Sequence, residues 1–420
     1  MIRGNVTATT TPPQLAPAAA LETLRASGPQ PTPVPRRQAR RVPIAGAMMS
    51  FASSLVFLLV VRVLLPPYEG LWHALMTWDA SWYRDIAIHG YSWHPTSARG
   101  QNPAFFPLYP LFERFAHALT RLSITGIAIG SSILFQAVAA GLLALIALGE
   151  GATDRQALAW VTLFLVSPPA VFDIMGYYSA LFCVLCFLAL LFAQRRRLWL
   201  VALAIGLASG MNPLGIAFAA GFVLWSVIEL VAKRQVSFRS TGVLVGQAFL
   251  SITGLFGYAL YLLVRFGNPL VFYQALKGWS LPLPVSTLLT RIVTFEPVRS
   301  SFTQWAAVPY GRNTSFLIDA VTALVVATLV VALAAAKGGC RTLGLWLVVF
   351  AFLVVQVQSA RWGSEASATR FLLPVSFGVA AIAPVRRRLT RPAVFTVTII
   401  VLLAGTAVFL QHLVTGQWID

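Results

Sequence analysis

The sequence is poor in charge. Only 10% of its 420 residues are Asp, Glu, Lys or Arg, whereas an ordinary soluble domain carries roughly 25%. With 58% hydrophobic residues and a mean hydropathy of +0.76, a soluble globular fold is excluded. Acids are scarcer than bases, thirteen against thirty-one. In a soluble chain that balance would suggest a nucleic-acid partner, but here the bases fall between apolar runs and no nucleic acid is implied. Cysteine is nearly absent: Cys183 and Cys186 sit inside the apolar run LFCVLCFLAL and Cys340 in a turn. They read as small buried apolar residues rather than a redox pair. The histidines (His73, His89, His94, His117, His412) form no HExxH or comparable ligand spacing, so no metal and no cofactor is expected. A secretory signal pattern is missing. No internal repeat is visible, which counts against an inverted-repeat transporter.

What the chain has is apolar runs. They lie at about 44–65, 123–148, 157–173, 176–194, 198–232, 241–264, 315–336, 342–358, 371–383 and 393–413. In hydrocarbon, backbone polar groups must be satisfied internally, so these read as membrane helices. The run 198–232 has bases at both ends and is long for one span and short for two. Its interruption GMNPLG, with Pro213 lacking a backbone donor, predicts two short helices meeting near the outer surface. The expectation is an all-α polytopic membrane protein of about eleven crossings: residues 1–43 a disordered cytoplasmic tail, and 44–420 one integral membrane domain. Nineteen bases then fall inside and eleven outside, as the positive-inside rule requires. The amino terminus is cytoplasmic in this reading and the carboxyl terminus extracytoplasmic. The large loops, 66–122 and 265–314, face outward, and the chemistry should lie with them.

The most informative stretch is Trp78 to Tyr91, WDASWYRDIAIHGY. Asp79 sits where a helix N-cap is favoured, Trp82, Tyr83 and Ile86 follow on one face, and Gly90 suits the stop. This helix and the amphipathic stretch 102–122 should lie in the membrane interface, with Trp78, Trp82, Tyr91 and Trp93 as belt aromatics. Asp79 reads either as a helix cap or as a base made stronger by desolvation. Asp85 and Glu113, on the residues alone, read as solvated loop charges.

WDASWYRDIAIHGY followed by AFFPLYPLF resembles the signature of the PIG-V mannosyltransferase family. Further matches follow in the family's order: Ser167-Pro168 ahead of Tyr177 and Tyr178, RFGNPLVFYQALKGW at 265–279, Arg370-Phe371, and Gly416 to Trp418. The resemblance implies a GT-C glycosyltransferase fold, polyprenyl-phosphate mannose as donor, and inverting transfer to a lipid-linked or cell-envelope acceptor on the extracytoplasmic face. It implies Asp79 as catalytic base and Arg370 as a donor-phosphate ligand, with Lys277, Arg265 and Arg361 as alternatives. Trp78, Trp82, Tyr83, Asp85, Tyr177, Tyr178 and Asn212 complete the candidate substrate-binding set, together with Lys277 and Arg370. The bilayer, the lipid donor, a lipid or glycan acceptor and a possible partner subunit are the expected partners. The few lysines, three against twenty-eight arginines, suggest a GC-rich bacterial source and hence the plasma membrane.

Two positions depart from the family pattern. Tyr178-Ser179 lacks the usual acid, and Asn212 stands near the usual Arg. Ser179 and Asn212 could form a neutral hydrogen bond in place of an ion pair, or Asp173 could supply the carboxylate. A non-catalytic GT-C-like lipid-glycan-binding subunit therefore stays open, with a polyprenyl-lipid transporter the remaining alternative.

Overall fold

The computed structural model describes residues 38–97, 99–276, 283–308, 312–334, 339–362, 367–382 and 386–416. Among these residues every regular element is helical, and the chain is a multi-pass membrane protein. The amino-terminal tail before residue 38, Lys277 and Trp418 lie outside the described residues.

The first helix, α1 (Gln38–Leu64), begins within the stretch read as tail and accommodates Pro43. Two helices of the first loop follow, α2 (Asp79–His89) and α3 (Leu108–Thr120). Next come α4 (Ile124–Gly149), α5 (Asp154–Leu165), α6 (Ser179–Gln194), α7 (Leu198–Ser209) and α8 (Pro213–Ala232). Then α9 (Phe238–Ser251), α10 (Thr253–Phe266), α11 (Val285–Val293) and α12 (Glu296–Ala307) lead to α13 (Arg312–Ala334), α14 (Gly339–Trp362), α15 (Ala368–Ile382) and α16 (Pro392–Thr415). Local chemistry sets several boundaries. Thr153 and Gln156 close a capping box on α5, and Asn212 accepts from the Leu214 N–H at 2.8 Å with Pro213 at the first helical position of α8.

Among the described residues six helices, α1, α4, α8, α13, α14 and α16, are long and apolar enough to cross a bilayer. The bent pair α9 and α10 makes a seventh if counted as one span. The expected eleven crossings are thus not reached by helices of spanning length. At about 1.5 Å per residue, α5, α6, α7 and α15 fall short of the hydrocarbon core. The run 198–232 divides into α7 and α8 as its Asn-Pro break predicts. The run 241–264, read as one span, is instead bent by 57° between α9 and α10. The cause is close packing: a Cβ on Gly254 would stand 2.4 Å from the Gly210 nitrogen, so two backbones touch there. The Ser209 hydroxyl accepts from the freed Leu255 N–H at 3.2 Å.

The core runs along α4, α5, α6, α7, α8, α14 and α15, filled by residues such as Trp160, Phe187, Phe218 and Phe222. At one end of α4, Glu150 pairs with Arg341 at 3.1 Å and accepts from Gln194 at 3.2 Å, tying α14 and α6 together. At the other end, the starts of α2, α6, α8 and α15 converge. The loop helix α3 exposes Leu111, Phe115 and Leu119 while burying Tyr109 and Glu113, the disposition of a helix lying in an interface with its apolar side toward lipid.

Candidate active site

Asp79 is the first residue of α2, and its carboxylate does not cap that helix. It turns to α15 instead: Oδ2 stands 2.7 Å from Arg370 Nη2, and both side chains are about nine-tenths buried. The expected N-cap role is therefore corrected. The preceding residue, Trp78, has φ 55° and ψ −128°, a strained conformation for a bulky side chain. The peptide unit that follows it is held at both of its polar groups. The Ser81 hydroxyl donates to the Trp78 carbonyl at 2.6 Å, and the Asp79 N–H donates to the Tyr177 hydroxyl oxygen at 3.0 Å.

Arg370 is held as tightly. Its guanidinium lies over Phe371 (4.6 Å), Phe172 (5.4 Å) and Tyr177 (5.4 Å), so cation–π attraction replaces part of its lost hydration. Its position along the bundle is set by α13. The buried Asp319 carboxylate accepts from the Ser367 N–H at 3.1 Å and the Thr369 N–H at 2.6 Å, and the Thr322 and Thr369 hydroxyls are 3.0 Å apart. An acid from a neighbouring helix thus caps α15, the helix that presents Arg370.

Asp79, Tyr83, Asn212 and Arg370 line one cavity of about 260 Å³. Phe105, Leu214, Leu276, Val354, Val355 and Val357 form its apolar wall, and Gln358, Arg361, Trp362 and Ser367 add polar groups. Tyr177 and Tyr178 stand behind this wall, each packed against Tyr83. Burial, and then the negative charge of Asp79 among their neighbours, hold the Tyr83 and Tyr177 hydroxyls well above the usual tyrosine range. They remain neutral donors. Asn212 donates its amide to the Tyr178 hydroxyl. The bond expected between Asn212 and Ser179 is thus replaced by one to the adjacent tyrosine, still neutral.

Other expectations are corrected. Asp85 points to the exposed side of α2 and pairs with His89 at 2.8 Å, so it does not belong to the cavity. Trp82 stacks at 5.5 Å on Phe105, a residue of the wall, and Trp78 packs on Phe172; neither lines the cavity. Asp173 is sealed in the interior with neither carboxylate oxygen hydrogen-bonded, and it does not line the cavity. Glu113 is not a solvated charge: it is fully buried and burial pushes its carboxyl up to about 8. Sequence reasoning missed Asp319, Gln358 and Ser367. For Asp319 a signal was available, since an acid inside an apolar run is a functional candidate by default.

The fold and site define a class: an all-helical polytopic membrane protein whose cavity brings together a buried carboxylate, a guanidinium and an apolar wall. Its sequence is similar to particular enzymes. Over 168 residues, 38% of this chain and 32% of the relative, it is 36% identical to GPI alpha-1,6-mannosyltransferase 2 of Mus musculus. It is 34% identical over 168 residues to the protein of that name from Rattus norvegicus and 31% identical over 167 residues to that from Homo sapiens. The resemblance to PIG-V proteins drawn from the first-loop motif is borne out over that stretch. The match covers about a third of the length of these relatives. No family model matches the chain.

Proposed function

We propose that the protein is an inverting mannosyltransferase that uses polyprenyl-phosphate mannose and acts on the extracytoplasmic face. The observation that carries the reading is the Asp79–Arg370 pair on the wall of a cavity with a long apolar side. One oxygen of Asp79 is held by Arg370, which fixes the carboxylate's orientation. The acceptor hydroxyl gives its proton to Asp79 as its oxygen attacks the anomeric carbon. The bond from that carbon to the phosphate oxygen breaks, and polyprenyl phosphate leaves. General-base assistance of this kind contributes roughly 10²–10⁴-fold. The relatives' name suggests a glycosylated phosphatidylinositol as acceptor. The test is transfer of labelled mannose by purified protein in nanodiscs. Asp79→Asn should lower turnover at least a hundredfold while the protein stays folded; full transfer by the folded variant overturns the assignment.

A second reading is favoured by one observation. The neutral Asn212–Tyr178 contact occupies the place where the family pattern has charged residues, as a lipid-glycan-binding subunit without catalysis would allow. Donor binding with no transfer to any of a panel of lipid acceptors would select it.

A further inference from the structure

The end of the bundle that faces away from the cavity carries a surface with no part in the cavity's chemistry. Helix α8 starts beside the cavity, where Leu214 lines it, and runs for 20 residues. That length is about 30 Å, the thickness of a hydrocarbon core. The segment that follows, KRQVSFR at 233–239, therefore emerges at headgroup depth on the opposite side. It holds the bases Lys233, Arg234 and Arg239 and no acid.

Packing makes this segment a projecting tip. Trp199, in the first turn of α7, meets α9 at Gly246, where a Cβ would stand 2.8 Å from the indole. The part of α9 before Gly246, about 12 Å of helix, runs on past the start of α7. A capping box between Ser237 and Ser240 fixes the backbone of that part. Phe238 is 99% exposed and Val236 64%, with Arg234 and Arg239 exposed beside them. Lys233 is engaged by Glu229 of α8, while neither arginine has an ion pair among the described residues. The adjacent start of α7 adds exposed Arg195, Arg196 and Arg197 and half-exposed Trp199.

Phe238 and Val236 held out in water forgo the free energy of apolar burial. An acidic protein would answer the bases alone. Bases interleaved with apolar side chains at headgroup depth match both layers of an anionic leaflet, phosphates for the arginines and upper acyl chains for Phe238 and Val236. We infer that residues 233–239, at the start of α9, dock onto anionic phospholipid in the leaflet that faces away from the cavity. This holds whether or not the cavity transfers a sugar.

The experiment offers phosphatidylglycerol and phosphatidylcholine of the same acyl chains, in equal amounts, to the full chain in neutral detergent and counts bound lipids by native mass spectrometry. The wild type should prefer phosphatidylglycerol. Raising salt from about 0.05 M to about 0.5 M should weaken that preference, because the screening length shrinks. Arg234→Gln/Arg239→Gln should reduce the preference about fivefold or more, as loss of two bases near a charged surface does. Arg234→Lys/Arg239→Lys keeps the charge and should keep the preference; a loss as large as with glutamine would trace the effect to the fold and overturn the inference. Phe238→Ser should weaken phosphatidylglycerol several-fold at either salt, and unchanged binding would mean that the tip does not enter the leaflet, which also overturns it. A wild type indifferent to headgroup charge, or a glutamine variant with the wild-type preference, overturns it as well. Polyglutamate serves as an acidic polypeptide: it should not displace the lipid, and displacement at equal charge concentration would make the tip a protein-docking surface instead.

Discussion

Asp79 and Arg370, from the first loop and the last quarter of the chain, meet at 2.7 Å in a nearly dry contact. Each satisfies a charge the other would leave exposed to low dielectric, and removing one partner of such a pair costs about 3–5 kcal/mol. Arg370→Ala and Asp79→Ala should each lower the thermal midpoint markedly. The double variant Asp79→Ala/Arg370→Ala should be more stable than the sum of the single losses allows. Thermal unfolding in one detergent checks this, and strict additivity would contradict the pairing.

Asp319 governs the same site from a distance. Asp319→Ala removes the acceptor for the Ser367 and Thr369 N–H groups. Each unsatisfied buried donor costs about 1–3 kcal/mol. The expected outcome is lower stability together with a turnover loss close to that of Arg370→Ala. Turnover equal to wild type would show that the α15 cap does not position Arg370.

Stability should depend on pH through two carboxyls that burial pushes up to about 8, Glu113 and Asp173, from ordinary values of 4.5 and 3.8. Between about pH 4 and pH 8 the unfolded chain releases protons that the folded chain keeps, so stability falls as pH rises through that window. Melting at pH 5 should therefore occur above melting at pH 8.5. Glu113→Gln, which stays neutral, should flatten the dependence; an unchanged slope would place the titration elsewhere.

Asp85 is the contrasting case. It is exposed and its partner is His89 on the same helix, a pair of small net value. Asp85→Asn should keep transfer within about twofold of wild type, measured beside Asp79→Asn.

Gly254→Ala tests the bend between α9 and α10. Its new methyl would meet the Gly210 backbone at 2.4 Å, and the backbone of α7 cannot yield as a flexible side chain can. Folded yield in detergent should drop, and the loss should be much larger than for Gly257→Ala, where no atom lies within 4 Å.

What could be read from the sequence was local. The Asn-Pro break that separates α7 from α8, the glycine stop of α2 at φ 81°, and an acid opening an aromatic-rich helix each depend on neighbours in the chain. The contacts that complete the site do not. The cap of α15 by Asp319 and the seat of Arg361 over Tyr273 arise between helices with no sequence signature for one another. Glu113 was misread for a physical reason: on a helix lying in an interface the apolar face turns to lipid, so the polar face becomes the inward one. The bend at Ile252 was hidden because nothing in the run 241–264 breaks a helix as strongly as proline does; a backbone contact with α7 makes it.

The long separation between Asp79 and Arg370 has a consequence for biogenesis. Domains form progressively as the chain is made, so the first loop and its acid reach the membrane well before α13, which supplies Asp319, and α15, which supplies the guanidinium. Until those helices arrive, the aspartate has no counter-ion and α2 has no reason to settle into its strained start at Trp78. The pair therefore joins the first loop to the last quarter of the chain, and neither α2 nor α15 carries the counter-charge of its own buried group.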